Sequence, residues 1–226
     1  VQGTTTLSQI ALNLSGDLDR HGLTLTMKGD PVAADLSLNG SLRGDRWRGA
    51  LSELKLKTPL KRWTLSAPWS LDLDLARQQL TMGDLCLGSQ KASLCVKGSQ
   101  ISAAQGSLEF ALSEFDLKRL RPWLPDNFRW LAVLSAHGRA SWRGNQPTLH
   151  ATVRPTPGTF VADELKTEYQ RLELGLDFER QQAAIRVDFA SRQIGNIDTD
   201  LLIKEPAGPG LLSGQLKFDD LKLATF

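Results

Sequence analysis

The heptapeptide Trp69–Leu75, WSLDLDL, alternates apolar and polar residues without a slip. Successive side chains on an extended backbone point to opposite faces, so this pattern dictates a strand with one apolar and one charged face. It is incompatible with a helical stripe, which recurs every 3.6 residues. The same alternation appears in LTLTM (Leu23–Met27), LSLNGSL (Leu36–Leu42), LSELKLK (Leu51–Lys57), LELGLDF (Leu172–Phe178), IRVDF (Ile185–Phe189) and SGQLKF (Ser213–Phe218). Between these runs sit turn and bulge residues: GD at Gly29, NG at Asn39, RGDRWRG at Arg43–Gly49 and EPAGPG at Glu205–Gly210. Many short strands with such punctuation predict an all-β chain built as an antiparallel meander.

A sheet with one apolar face must bury that face against a second sheet, in a barrel, or by folding over itself. Each leucine is worth roughly 1.5–3 kcal/mol buried rather than exposed. Apolar residues make up 41% of the 226, enough for a core and too many for global disorder. Two compositional facts bear on which solution is used: leucine dominates the apolar positions, and aromatics are only 7%. Sandwich cores favour interdigitating Val, Ile and aromatics, whereas a flexible leucine-lined surface suits a ligand without fixed shape, such as an acyl chain. On composition, sandwich and groove both remain open.

One segment departs from the strand pattern. Ser113–Pro125, SEFDLKRLRPWLP, places Leu117, Leu120 and Leu124 at helical spacing, with Ser113 or Asp116 as candidate caps and Pro122 and Pro125 limiting its length. It predicts one short helix near residues 114–124 and a subdivision near 111–128. Cys86 and Cys95 flank a short polar connection at hairpin spacing. Paired, they imply an oxidising compartment; the alternative is two free buried thiols.

Several function classes find no support. There is no GxSxG, P-loop, HExxH or dinucleotide fingerprint, and Asp72 and Asp74 read as the solvated face of a strand, so an enzyme is not expected. His21, His137 and His150 are far apart and in no ligand spacing, so neither a metal nor a cofactor is expected. The net charge of +2 is weak for a nucleic-acid partner. No apolar run is long enough to span a bilayer, and both ends read as cuts in a longer protein whose anchor or signal lies elsewhere. Arg119, Arg121, Arg129, Arg139 and Arg143 interleave with Trp123, Trp130 and Trp142. They read as a solvated face with a packed aromatic cap, the other reading being contact with anionic headgroups. Trp47, Trp63 and Trp69 read as wall packing.

The succession GDPVAADLSLNGSLRGDRWRGALSELKLKT, PWSLDLDL, the Cys86/Cys95 hairpin and FDLKRLRPWLPDNFRWLAVLSAHGRASWRGNQPTLHATVRPTPG resembles the TamB family, within the AsmA-like superfamily of bridge-like lipid-transfer proteins. The resemblance extends from about Leu23 to the end. It implies an elongated, curved antiparallel sheet folded into a U-shaped groove, the β-taco, with residues 1–226 as one continuous section. It implies the periplasm of a Gram-negative bacterium, a parent anchored in the inner membrane, and a disulfide between Cys86 and Cys95. It also implies phospholipid movement between inner and outer membranes and support of outer-membrane protein and autotransporter assembly. The barrel partner TamA would be met through the parent protein rather than through this section.

On that reading the groove is lined by Leu23, Leu25, Met27, Leu36, Leu38, Leu54, Leu56, Leu71, Leu73 and Leu75, and by Leu172, Leu174, Leu176, Phe178, Ile185, Val187 and Phe189. Asp72 and Asp74 would face water. The other readings are a chaperone-like scaffold that pairs strand edges with outer-membrane protein substrates, and a plain β-sandwich or β-helix module.

Overall fold

The computed structural model describes residues 6–98, 100–204 and 211–222. The chain is all-β and antiparallel with one short helix, and it divides into two compact units, Val1–Leu108 and Glu109–Phe226. All seven alternating runs lie in strands, except that Leu75 falls just past the end of its strand. The EPAGPG turn lies outside the described residues.

In the first unit, β1 (Thr6–Gly16), β2 (His21–Asp30), β3 (Ala33–Arg43) and β4 (Arg46–Thr58) form a meander. The β3–β4 connection is the two-residue turn Gly44–Asp45, whose first residue has φ +57°, a conformation open to glycine without steric cost. Asn39 and Gly40, expected to break the chain, stay inside β3. Gly40 is small because the Trp47 indole lies across it: a Cβ there would stand 2.6 Å from the ring.

The sheet then forks. The first half of β4 pairs with β6 (Trp69–Asp74), and its last four residues pair with β5 (Lys61–Leu65). One branch continues through β7 (Gln79–Met82), the other through β8 (Leu85–Ser89) and β9 (Ala92–Gly98). The three-residue β10 (Gln100–Ser102) adds to β7.

The second unit holds most of β11 (Gln105–Asp116), followed by a 3₁₀ helix, Leu117–Trp123. The helix starts later than the sequence predicts, because Ser113–Asp116 complete β11; Asp116 is the cap, accepting from the Lys118 N–H at 2.9 Å. After β12 (Phe128–Leu131) come β13 (Val133–Arg143), β14 (Gln146–Pro155), β15 (Gly158–Ala162), β16 (Leu165–Tyr169), β17 (Arg171–Glu179), β18 (Gln182–Ser191), β19 (Gly195–Lys204) and β20 (Leu211–Asp219). The main sheet runs β13–β14–β17–β18–β19–β20, and β12, β15 and β16 form a separate three-stranded sheet.

That small sheet is made of the same strands. β12 runs into β13 through Ala132, β14 into β15 through Thr156–Pro157, and β16 into β17 through Gln170. All three break at one level, where Pro155 and Pro157 withhold backbone donors. At the break the Thr156 N–H donates to Val133 O at 2.8 Å and the Val133 N–H to Thr156 Oγ1 at 3.1 Å.

The predicted cysteine hairpin is β8–β9, with Cys86 opposite Cys95 and a disulfide between them. The flanking pairs Leu85–Val96 and Leu87–Leu94 place the bridge on the face opposite these apolar residues. Closing so short a loop contributes about 2–3 kcal/mol. Replacing both cysteines by serine is therefore expected to lower the unfolding free energy by about that amount, read from urea denaturation at matched slope, and reduction of the unaltered chain should do the same.

Candidate functional site: an open apolar face

The predicted lining residues are brought into cross-strand rows. In the first unit Leu25 stands opposite Leu36, which stands opposite Leu54. Leu23 faces Leu38, and Met27 faces Ala34, which faces Leu56. Leu71 faces Met82 on one side and Gly49 on the other; Leu73 faces Leu80 and Trp47. Directly opposed residues of an antiparallel pair point to the same side, so each row is one stripe of one face. Leu75 falls just past β6; its N–H donates to Asp45 O at 2.8 Å and its side chain is exposed.

In the second unit the rows are Leu172–Phe189–Ile197–Phe218, Leu174–Val187–Thr199–Leu216, Leu176–Ile185–Leu201–Gly214 and Phe178–Ala183–Ile203–Leu212. Toward β14 they continue as Val153 beside Leu174, Ala151 beside Leu176 and Leu149 beside Phe178.

Several members of this face were not anticipated. Leu51 is one, and it is among the most buried residues, 5% exposed. Strict alternation puts Leu51 and Leu54 on opposite faces, since three residues separate them. A β-bulge restores them to one face: Ser37 pairs with Glu53 and Leu38 with Leu51, which leaves Ser52 as the extra residue. Ser52 closes the defect by donating to Ser37 O at 3.1 Å and accepting from Asn39 Nδ2 at 3.2 Å. A serine interrupting an otherwise two-residue spacing is the trace this leaves in sequence. Trp47, Trp63 and Trp69 are wall residues, as expected. Trp63 is buried, Trp47 Nε1 donates to His21 Nε2 at 2.8 Å, and Trp69 Nε1 donates to Gly83 O at 2.9 Å.

The face is incompletely covered. Among the described residues just seven apolar side chains are buried, Leu51, Trp63, Ala92, Phe115, Leu117, Tyr169 and Leu172. Of the predicted lining residues, Leu172 alone is buried, Leu75 is exposed, and the rest are intermediate. On the outer strands exposure is greater still: Ile10, Leu12 and Leu14 on β1 and Leu212, Leu216 and Phe218 on β20 are each more than half exposed.

The opposite face is charged and internally paired. Arg46 donates to both oxygens of Asp72 at 2.7 Å, and Arg48 donates to it at 3.0 Å. Asp72 is thus the centre of a small ion cluster, more than the bare solvated carboxylate the sequence suggests. Lys55 pairs with Glu53, Arg154 with Glu173 at 2.7 Å, Arg171 with Asp188 at 2.9 Å, and Arg139 with Glu109. Of the interleaved arginines, Arg119 is buried, stacked 5.5 Å from the Phe115 ring centroid. The hydrogen bond from Arg46 holds the Asp72 carboxyl below the usual carboxylate range, and the one from Arg154 does the same for Glu173.

The sequence matches the family described as TamB, N-terminal domain, over residues 1–226. The chain belongs to the TamB family. A curated relative, the translocation and assembly module subunit TamB of Haemophilus influenzae, is 24% identical over 231 residues, covering 98% of this chain. The chain spans 18% of that relative's length. No solved structure matches. No helix among the described residues is long and apolar enough to cross a membrane.

The ion pairs set an acid-side prediction. Carboxyls depressed in the folded state contribute stability that is fully present above their unfolded pKa values, near 4, and lost as pH falls through the lower folded values. The urea midpoint is expected to fall on acidification below about pH 4. An Asp72→Asn, Glu173→Gln variant should begin lower at neutral pH and show a flatter acid limb. Added salt should narrow the difference, because these pairs are exposed.

Proposed function

We propose that this chain is one section of a conduit that carries phospholipid acyl chains along its apolar sheet face, between the inner and outer membranes. The parent is read as an inner-membrane-anchored, periplasm-spanning subunit of the translocation and assembly module, meeting TamA through other parts of its length. Membership of the TamB family and the name of the Haemophilus relative support the module assignment. The role is one of carriage, without catalysis.

One observation carries the lipid reading: continuous rows of leucine, partly exposed, on inner strands that are paired on both edges. Leu36 is typical, flanked by Leu25 and Leu54. Such strands have no free backbone donors or acceptors, so a polypeptide cannot add to them as an extra strand. A hydrocarbon chain asks for nothing but apolar contact. Exposing a methylene costs about 0.8 kcal/mol, so a sixteen-carbon chain leaving a membrane for water faces roughly 12 kcal/mol. A face that keeps each methylene covered lowers the barrier at every step, and the headgroup stays wet at the open side. Supporting the assembly of outer-membrane proteins then follows from supplying lipid to that membrane. The edge-pairing reading applies instead to outer strands such as β1 and β20 in the two meanders and β12 and β16 in the small sheet.

The test contrasts the two faces. Leu73 lies on the apolar face opposite Leu80, and Thr81, the next residue of β7, lies on the charged face opposite Asp72. A photo-crosslinking residue at Leu73 is expected to capture phospholipid in cells, and one at Thr81 is not. Leu73→Arg should cut lipid delivery about tenfold or more, because a guanidinium among acyl chains is costly to desolvate, while Thr81→Arg leaves delivery intact. Equal capture at the two positions would remove the basis for the conduit.

A further inference from the structure

The second unit has a feature that the alternating rows do not require. Where β13, β14 and β17 break, the small sheet β12–β15–β16 carries Phe128, Trp130, Phe160 and Tyr169 on one face. Trp130 stands opposite Phe160, and Phe128 opposite Ala162. The Phe160 and Tyr169 rings stack with centroids 4.9 Å apart, and Trp130 lies 5.2 Å from Phe160. Trp130 Nε1 donates to Tyr169 Oη at 3.0 Å. Tyr169 in turn meets Phe189 of the main sheet at 6.2 Å between centroids, and is 1% exposed. Burial pushes its hydroxyl pKa up, in keeping with a dry contact.

The strip is anchored. The Gln170 N–H donates to Ala190 O at 2.9 Å, Ser191 Oγ donates to Glu168 O at 2.7 Å, and the Glu168 N–H donates to Gln193 Oε1 at 2.6 Å. These bonds tie the end of β16 to the β18–β19 turn, and Tyr169 brings the aromatic cluster against Phe189 of the Leu172–Phe189 row. In that row Leu172 is buried and Phe189 partly exposed. The next rows, Leu174–Val187 and Leu176–Ile185, are partly exposed throughout.

We infer that Trp130, Phe160 and Tyr169 form a fixed boundary that positions the acyl chain: they deny it the Leu172–Phe189 row and seat it on the Leu174–Val187 and Leu176–Ile185 rows. This inference rests on the lipid reading above. Two features select the occupant. The two open rows are about 7 Å apart, the rise of two strand residues, which suits a slender chain better than a folded protein surface. β14, β17 and β18 are each paired on both sides, which excludes an added strand here. An aromatic strip does this better than leucines would, because stacked rings are rigid and lose little conformational freedom when fixed.

The test places a photo-crosslinking phenylalanine analogue at Val187 or at Phe189 in the whole 226-residue chain, with vesicles of phosphatidylethanolamine and phosphatidylglycerol as the lipid source. Capture is expected at Val187 and at least about fivefold less at Phe189. In Trp130→Ala and in Phe160→Ala, capture at position 189 should rise to approach that at Val187. Trp130→Phe should keep the original pattern, since ring bulk rather than the hydrogen bond to Tyr169 forms the boundary. Near-ultraviolet circular dichroism identifies any variant that has not folded, and the two alanine variants are independent. Equal capture at Val187 and Phe189 in the unaltered chain overturns the boundary while leaving the conduit standing. Unchanged capture at 189 in both folded alanine variants does the same. Absence of capture at Val187 as well as Phe189 overturns the conduit itself and this inference with it.

Discussion

Everything in this molecule depends on an antiparallel ladder that satisfies the backbone and leaves one apolar face without a full cover. Inner strands such as β3 and β18 exchange hydrogen bonds on both edges, so their main chain needs no further partner. The side chains are not so provided for. Leucine rows across β2–β3–β4 and β17–β18–β19 are incompletely covered, and few apolar residues among those described reach full burial. A sandwich of the same strands would bury these rows against a second sheet. Here the cover is partial within each unit, and the remainder is surface that acyl chains, on the proposed function, complete.

The two faces divide the labour of stability and use. Ion pairs such as Arg46–Asp72–Arg48 and Arg154–Glu173 lie on the charged face, where they cross from strand to strand without touching the leucine rows. The disulfide also lies on that side. Each exposed pair contributes little alone, but placing these strand charges on one face keeps desolvated charge off the leucine rows. The bulge at Ser52 serves the same end, since it restores Leu51 to the apolar face where simple alternation would turn it to water.

Much of this was legible in the sequence. Alternation identified the strands, because a period of two has only one regular backbone solution, and it assigned Leu23, Leu36, Leu73 and Val187 to an apolar side. The cysteine spacing pointed to the hairpin that carries the disulfide. The helix was legible in kind but not in extent. Leucines at 117, 120 and 124 suggest a start near 114, yet Ser113–Asp116 belong to β11.

What the sequence by itself determined is therefore local: which segments extend, and which side chains share a face of one strand. The tertiary structure alone decided which strands are neighbours. β4 forks between β5 and β6, and β14 pairs with β17 across an intervening hairpin, choices set by register between distant segments rather than by any residue's own preference. It also decided that three strands break together, gather Trp130, Phe160 and Tyr169, and bring Tyr169 onto Phe189. Alternation is the same for a row left open and a row covered, because strand geometry fixes where a side chain points and only the packing of remote segments fixes what it meets.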